Sequence, residues 1–200
     1  MELKETDVRD QFGRLLADRE VWRQAVTLEA AGELTARWLE GGSEYQAATF
    51  TARYDEETDA IAPLLVQLNR NGLFTKESQP GLRYSGSAQR QYVTGFCSAD
   101  VAAQLLALST RSDLITVAHG PGEASTAAIP VTLDGAEVVT VLGSSETPIT
   151  SDQVQDWAEE TNETLALLLA DSWYVEIFDP AWGRNDVLLP AVLAALTPGE

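Results

Sequence analysis

At 200 residues, with 44% apolar side chains and five tryptophans, the chain can bury one substantial core, which excludes a wholly disordered protein. Its formal net charge of −18 is uneven: residues 1–111 hold 12 basic against 16 acidic side chains and residues 112–200 hold one against 15, a field that disfavours direct contact with nucleic-acid phosphates or anionic lipid. A lone cysteine, Cys97, excludes an intramolecular disulfide, no apolar run approaches the roughly 18 residues of a membrane span, and the charged opening MELKETDVRD has no signal core, so the expected setting is the cytoplasm.

Residues 6–40 read as one or two helices, with Phe12, Leu15, Leu16, Trp22, Val26, Leu34 and Trp38 as a drifting apolar pattern that ends at Gly41-Gly42-Ser43. This divides the chain into an N-terminal helical segment, 1–42, packed on or extending an α+β domain, 43–200. The stretch Tyr45–Tyr54 reads equally as helix or strand. Asp55-Glu-Glu-Thr-Asp59 supplies an N-cap and an acidic first turn to a helix that carries Ile61, Leu64, Leu65 and Leu68 at i, i+3, i+4 and i+7. Pro63 sets its start near Ala60 or bends it there. Asn71-Gly72 stops it, because glycine adopts positive φ without steric cost.

Leu73–Gln79 and Gln89–Cys97 follow as strands joined by the Gly- and Ser-rich loop Pro80–Ala88. Ser98 caps a helix over Ala99–Leu108, and Leu114–Ala118 is a short buried strand. Asp134-Gly135 is a hairpin turn between Ile129–Leu133 and Glu137–Leu142. Thr150-Ser151-Asp152 opens one long amphipathic helix to residue 170. Trp173–Phe178 is a strand, and Val187–Leu196 a last helix interrupted at Pro190. Helices interleaved with hairpins, without strict βαβ alternation, predict an α+β fold with a mainly antiparallel or mixed sheet.

The strong chemical motifs are missing. There is no dinucleotide or phosphate-binding glycine loop, no H-E-x-x-H, no G-x-S-x-G and no C-x-x-C. One histidine and one cysteine make a zinc site improbable, so neither a metal nor another cofactor is expected. Four weaker constellations remain. Strand alternation from Leu73 places Phe74, Lys76 and Ser78 on one face and Thr75, Glu77 and Gln79 on the other, toward solvent or a cleft, with Arg90 across the hairpin. Thr75, Ser78, Gln79 and Arg90 can therefore hold a polar or anionic ligand, or form an ordinary exposed hairpin. His119, the sole imidazole, follows a strand in a glycine-rich loop and can act in proton transfer with Glu123, or be incidental to a turn. Asp179, Trp182 and Arg184 can clamp a planar or carboxylate-bearing ligand, or cap, pack and pair among themselves. Asp156, Glu159, Glu160 and Glu163 form an acidic helix stripe, either solvated or a surface for a basic partner.

Several of these segments carry a resemblance. Ala31-Gly-Glu-Leu-Thr-Ala-Arg-Trp-Leu-Glu40, Asn69-x-x-Gly72-x-x-Thr75-x-x-Ser78-Gln79-Pro80-Gly81, Gln89-Arg-Gln-Tyr-Val-Thr-Gly95-Phe96 and Asp179-Pro-Ala-Trp-Gly-Arg184 resemble the signatures of a domain family of unknown function from actinobacteria, chiefly streptomycetes, and their phages. The match spans roughly residues 22–196 and leaves the first 20 outside. It implies an intracellular accessory protein and no particular activity, ligand or catalytic residue. The leading expectation is a pocket for a polar small molecule or a protein partner around Thr75, Ser78, Gln79 and Arg90, closed by Trp182 and Arg184. The alternatives are an acidic protein that docks a basic protein surface, and a small hydrolase or transferase using His119. Direct nucleic-acid or membrane partners are not expected.

Overall fold

The computed structural model describes residues 8–47, 52–145 and 150–197; positions 48–51 of the ambiguous Tyr45–Tyr54 stretch lie outside them. The first helical section is two helices, α1 (Leu16–Trp22) and α2 (Leu28–Leu39). Thr27 starts α2 by accepting the Ala30 amide at 3.1 Å. The Asp55 side chain makes no cap contact; it precedes a 3₁₀ turn, Glu56–Thr58, and α3 (Ala62–Arg70) begins only after it, with Pro63 in the first turn where a missing N–H costs nothing. Gly72, at φ 96°, ends α3 and launches β1 (Phe74–Gln79).

β1 pairs antiparallel with β2 (Ser87–Cys97), as the loop composition predicts. Next come α4 (Ala99–Leu106), which Ser98 caps, α5 (Leu108–Arg111), β3 (Ile115–His119), β4 (Ser125–Asp134) and β5 (Glu137–Ser145). The single long helix expected over 152–170 is two, α6 (Ser151–Glu160) and α7 (Glu163–Ala170). Thr161 leaves the helical basin, its hydroxyl donating to the Trp157 carbonyl at 2.6 Å, and Asn162 starts α7 by accepting the Leu165 amide at 2.9 Å. Asn162 Nδ2 also donates to the Arg23 and Ala25 carbonyls, at 3.1 and 2.7 Å. Periodicity alone hides this break because Val154, Trp157, Thr161, Leu165 and Leu168 keep helical spacing straight across it, with Thr161 itself buried. An Asn162→Ala variant is expected to lose about 2 kcal/mol, a cap worth about 1 kcal/mol plus two orphaned carbonyls, measured by urea unfolding.

β6 (Trp173–Trp182) and α8 (Leu188–Leu196) complete the chain. Pro190 does not interrupt α8; it sits in the first turn, where its amide would have no partner in any case. Among the described residues the strands form one antiparallel sheet in the order β3-β6-β2-β4-β5, with β1 also on β2, so the α+β class holds and the helices and sheet make a single domain.

Val93, Cys97, Val175 and Ile177 cover one sheet face and pack on α3, α4 and α8. Burial pushes the Cys97 thiol up to about 12, so it stays protonated and unreactive at neutral pH. On the opposite face, Phe74, Phe96 and Tyr174 pack with Trp22, Trp157 and Leu165 of α1, α6 and α7, while Tyr92 and Phe178 meet Val131 of the β4–β5 hairpin. Between these two apolar clusters lies a buried polar pair, His119 and Glu176, diagonal neighbours across the pairing of β3 with β6, in which His119 stands opposite Tyr174 and Glu176 opposite Val117.

Candidate functional site

A cavity of about 310 Å³ opens beside β1. α2 contributes Thr35, Trp38 and Leu39, the chain after it Gln46, the approach to α3 and α3 itself Tyr54, Asp55, Thr58 and Leu65, and the sheet Thr75, Lys76, Glu77, Ser78 and Tyr92. Gly32 lets α2 and α3 approach this closely, since a Cβ there would lie 2.5 Å from the Asn69 carbonyl oxygen. Asn69 in turn anchors the strand: its Nδ2 donates to Thr75 Oγ1 at 2.7 Å, and the Thr75 amide donates to its Oδ1 at 3.0 Å. The spacing Asn69-x-x-Gly72-x-x-Thr75 is thus a turn closed by two side-chain bonds.

Strict alternation fails on β1. A bulge between Thr75 and Glu77 puts Thr75 opposite Gly95 and Glu77 opposite Thr94, so Thr75 turns inward and Glu77 outward. Phe74 takes the core as expected, but Thr75 does not share a face with Glu77 and Gln79. Of the expected ligand residues, Thr75 and Ser78 line the cavity, and Gln79, Arg90, Trp182 and Arg184 do not.

Gln79 is spent on the sheet: its Nε2 donates to the Arg90 and Val131 carbonyls at 3.0 and 3.2 Å, and its Oε1 accepts the Thr132 hydroxyl at 2.9 Å. Arg90 stacks 4.3 Å above the Trp182 ring and donates to the Pro130 carbonyl at 3.0 Å. Arg184 bridges Asp179 at 2.6 Å and Asp113 at 2.8 Å, which holds its guanidinium even more firmly protonated than usual. The two arginines available to grip an anion therefore both have partners inside the protein. A clasp explains the neighbouring motifs: Asn185 Oδ1 accepts the Gly81 amide at 3.1 Å and Gln91 Nε2 at 2.7 Å, with the Gly81 and Arg184 backbones in direct contact.

His119 is 2% exposed and lines none of the cavities described here. Its Nε2 lies 2.9 Å from Glu176 Oε2, and Glu176 Oε1 accepts the Gly143 amide at 3.1 Å. Glu123 instead accepts the Gly120 amide at 2.8 Å, closing its own turn. The partner of His119 is the carboxylate that breaks an otherwise apolar strand, Tyr174-Val-Glu-Ile-Phe178, and that break is the signal that would have found it. The acidic stripe is interrupted at Thr161-Asn162, and Glu160 is committed to the buried Arg14 at 2.9 Å and to the Tyr45 hydroxyl.

Trp38, Tyr54 and Tyr92 are the site residues that local reading missed. Trp38 and Tyr54 meet edge to face, with centroids 5.5 Å apart. They form the wall shared with a second cavity of about 480 Å³, lined also by Gly41, Ser43, Glu44, Arg53, Glu56 and Asp59. The Tyr92 ring packs on Phe178, and its hydroxyl has no hydrogen-bond partner among the described residues. Only the closed fold brings positions 35 to 92 together, and no single stretch carries that information.

Among the described residues no group of His, Cys, Asp and Glu is arranged to hold a metal ion, and no helix is long and apolar enough to cross a membrane. No curated protein matches the chain. A family model matches residues 17–199, and the chain belongs to that family, the domain of unknown function DUF6919.

Proposed function

We propose that the chain is a binding domain for a small polar molecule, held in the cavity between α2, the 54–58 segment and β1. One observation carries this reading: the hydroxyl-bearing residues Thr75, Ser78 and Tyr92 line one concavity together with the Trp38–Tyr54 corner. Small-molecule sites combine apolar and aromatic walls with a few placed polar groups, and this lining has that composition. The site of the expected pocket is kept in part, at Thr75 and Ser78, and moves to the α2 side of β1. Gln79, Arg90, Trp182 and Arg184 are engaged with other parts of the protein and serve to hold the sheet end in place. With the family resemblance, this gives an intracellular accessory role that depends on ligand capture rather than on His119 chemistry.

The test is a ligand-observed NMR screen of polar fragments against the parent chain and a Ser78→Phe variant, which fills the cavity from a half-buried position. Fragments should bind the parent saturably and lose at least tenfold in affinity with the variant, circular dichroism being unchanged. If no fragment shows that dependence, the cavity is not a ligand site.

A further inference from the structure

We infer that the ligand of this cavity carries an organic ammonium group, which the Trp38–Tyr54 corner and the adjoining carboxylates receive. This rests on the binding-site reading above and specifies its chemistry. Asp55 and Glu77 line the first cavity, and Glu44, Glu56 and Asp59 the second, against two cations, Lys76 and Arg53. Lys76 is already paired with Glu77 at 2.8 Å, and Glu44 with Arg9 at 2.5 Å. Asp55, Glu56 and Asp59 have no salt-bridge partner among the described residues and stand exposed on the 3₁₀ turn, beside the aromatic wall common to both cavities.

The second, independent observation is Tyr92. It is 8% exposed and lines the cavity, and its hydroxyl has no hydrogen-bond partner among the described residues, so an unpaired polar group is on offer to a ligand there. Burial, and then the charges of Glu77, Glu57 and Glu176, push this hydroxyl well above the ordinary tyrosine range, which marks the surrounding field as negative. A neutral phenol is a hydrogen-bond acceptor for an N–H donor. Trp38 and Tyr54 line the cavity, and an aromatic ring face draws cations, an attraction worth about 0.5–2 kcal/mol depending on desolvation. A carboxylate or phosphate ligand in the first cavity would meet Lys76, already paired with Glu77, and across both cavities five carboxylates stand against two cations, while Arg90 and Arg184 are bound up elsewhere. Charge therefore selects the ligand class that hydroxyls alone leave open.

The experiment is isothermal titration of the intact chain with spermidine, at 50 and 300 mM NaCl. Spermidine is expected to bind one site and to weaken at least tenfold with Asp55→Asn/Glu56→Gln/Asp59→Asn, an exposed triple variant that spares the core. Tyr92→Phe, which keeps the ring packing, is expected to weaken binding severalfold. A control variant, Asp152→Asn/Asp156→Asn/Glu159→Gln, neutralises the α6 surface and should leave binding unchanged; an equal loss there would show diffuse attraction to a polyanionic protein and overturn the inference. A capped trilysine peptide run in parallel assigns the source of the ammonium: tighter binding of the peptide places it on a protein side chain, and tighter binding of spermidine on a free amine. If neutral or anionic fragments bind the cavity with the Ser78 dependence described above while spermidine neither binds nor competes, the ammonium assignment fails and the binding site stands.

Discussion

A Glu176→Leu variant is expected to unfold with about 3–5 kcal/mol less stability than the parent chain, the cost of removing one member of a buried charge-capable pair. Glu176 links three strands: it sits on β6, meets His119 of β3 through one oxygen and receives the Gly143 amide of β5 through the other. Leucine of similar size leaves both groups buried without a partner, and the desolvation cost of each falls on the folded state alone. Glu176→Gln retains an acceptor for Gly143 and a polar contact for His119, so it should cost less than half as much. The double variant Glu176→Leu/His119→Phe should recover part of the loss, since an apolar pair satisfies the site without charge. Urea unfolding of the cycle measures the coupling; additive single effects would show that the two side chains do not act as a pair.

Gly81→Ala is the second large effect expected. An added Cβ would lie 2.0 Å from the Arg184 carbonyl oxygen, far inside van der Waals contact and against backbone rather than a movable side chain. Relief requires Pro80–Gly81 and Gly183–Asn185 to separate, which breaks the Gly81–Asn185 and Gln91–Asn185 bonds together. Overpacking typically costs about 1–3 kcal/mol, and a rigid backbone obstacle puts this case at or above the upper end. Gly122→Ala is the informative contrast. Gly122 has φ 72° and open space around it, so its penalty is conformational only, about 1–2 kcal/mol. Unfolding midpoints should rank parent, Gly122→Ala, Gly81→Ala in falling order. A Gly81→Ala protein as stable as the parent would mean that the clasp is not tight.

Where local chemistry decides the structure, the sequence was readable. Asn71-Gly72 stops α3, Ser98 caps α4 and Asp134-Gly135 turns β4 into β5, each through bonds between residues at most a few positions apart. The misreadings come from a different scale. Alternation along β1 fails because the bulge at Thr75/Glu77 is fixed by what Gly95 and Thr94 of β2 present opposite it. The 152–170 helix breaks because Asn162 is held by carbonyls at Arg23 and Ala25, contacts invisible to any window around residue 162. The candidate site shows the same division. Thr75 and Ser78 stood out as polar strand residues, but Trp38 read as part of an apolar helix pattern, Tyr54 closed a stretch that read equally as helix or strand, and Arg90 and Trp182 looked like ligand groups because each one's partner is the other, some ninety positions away.

The strand order also governs when this chain can fold during synthesis. β6 is inserted between β3 and β2, so the central strands have no complete set of neighbours until residue 182 has been made. A nascent or truncated chain ending before β6 would present β2 and β3 with open edges and with Val93, Phe96 and Cys97 uncovered, the conditions that favour strand-to-strand association between chains. Most of the pairings that define the sheet centre span fifty residues or more, which places the domain among slow folders. Synthesis of β6, rather than of any earlier strand, is the step that lets the centre of the sheet close.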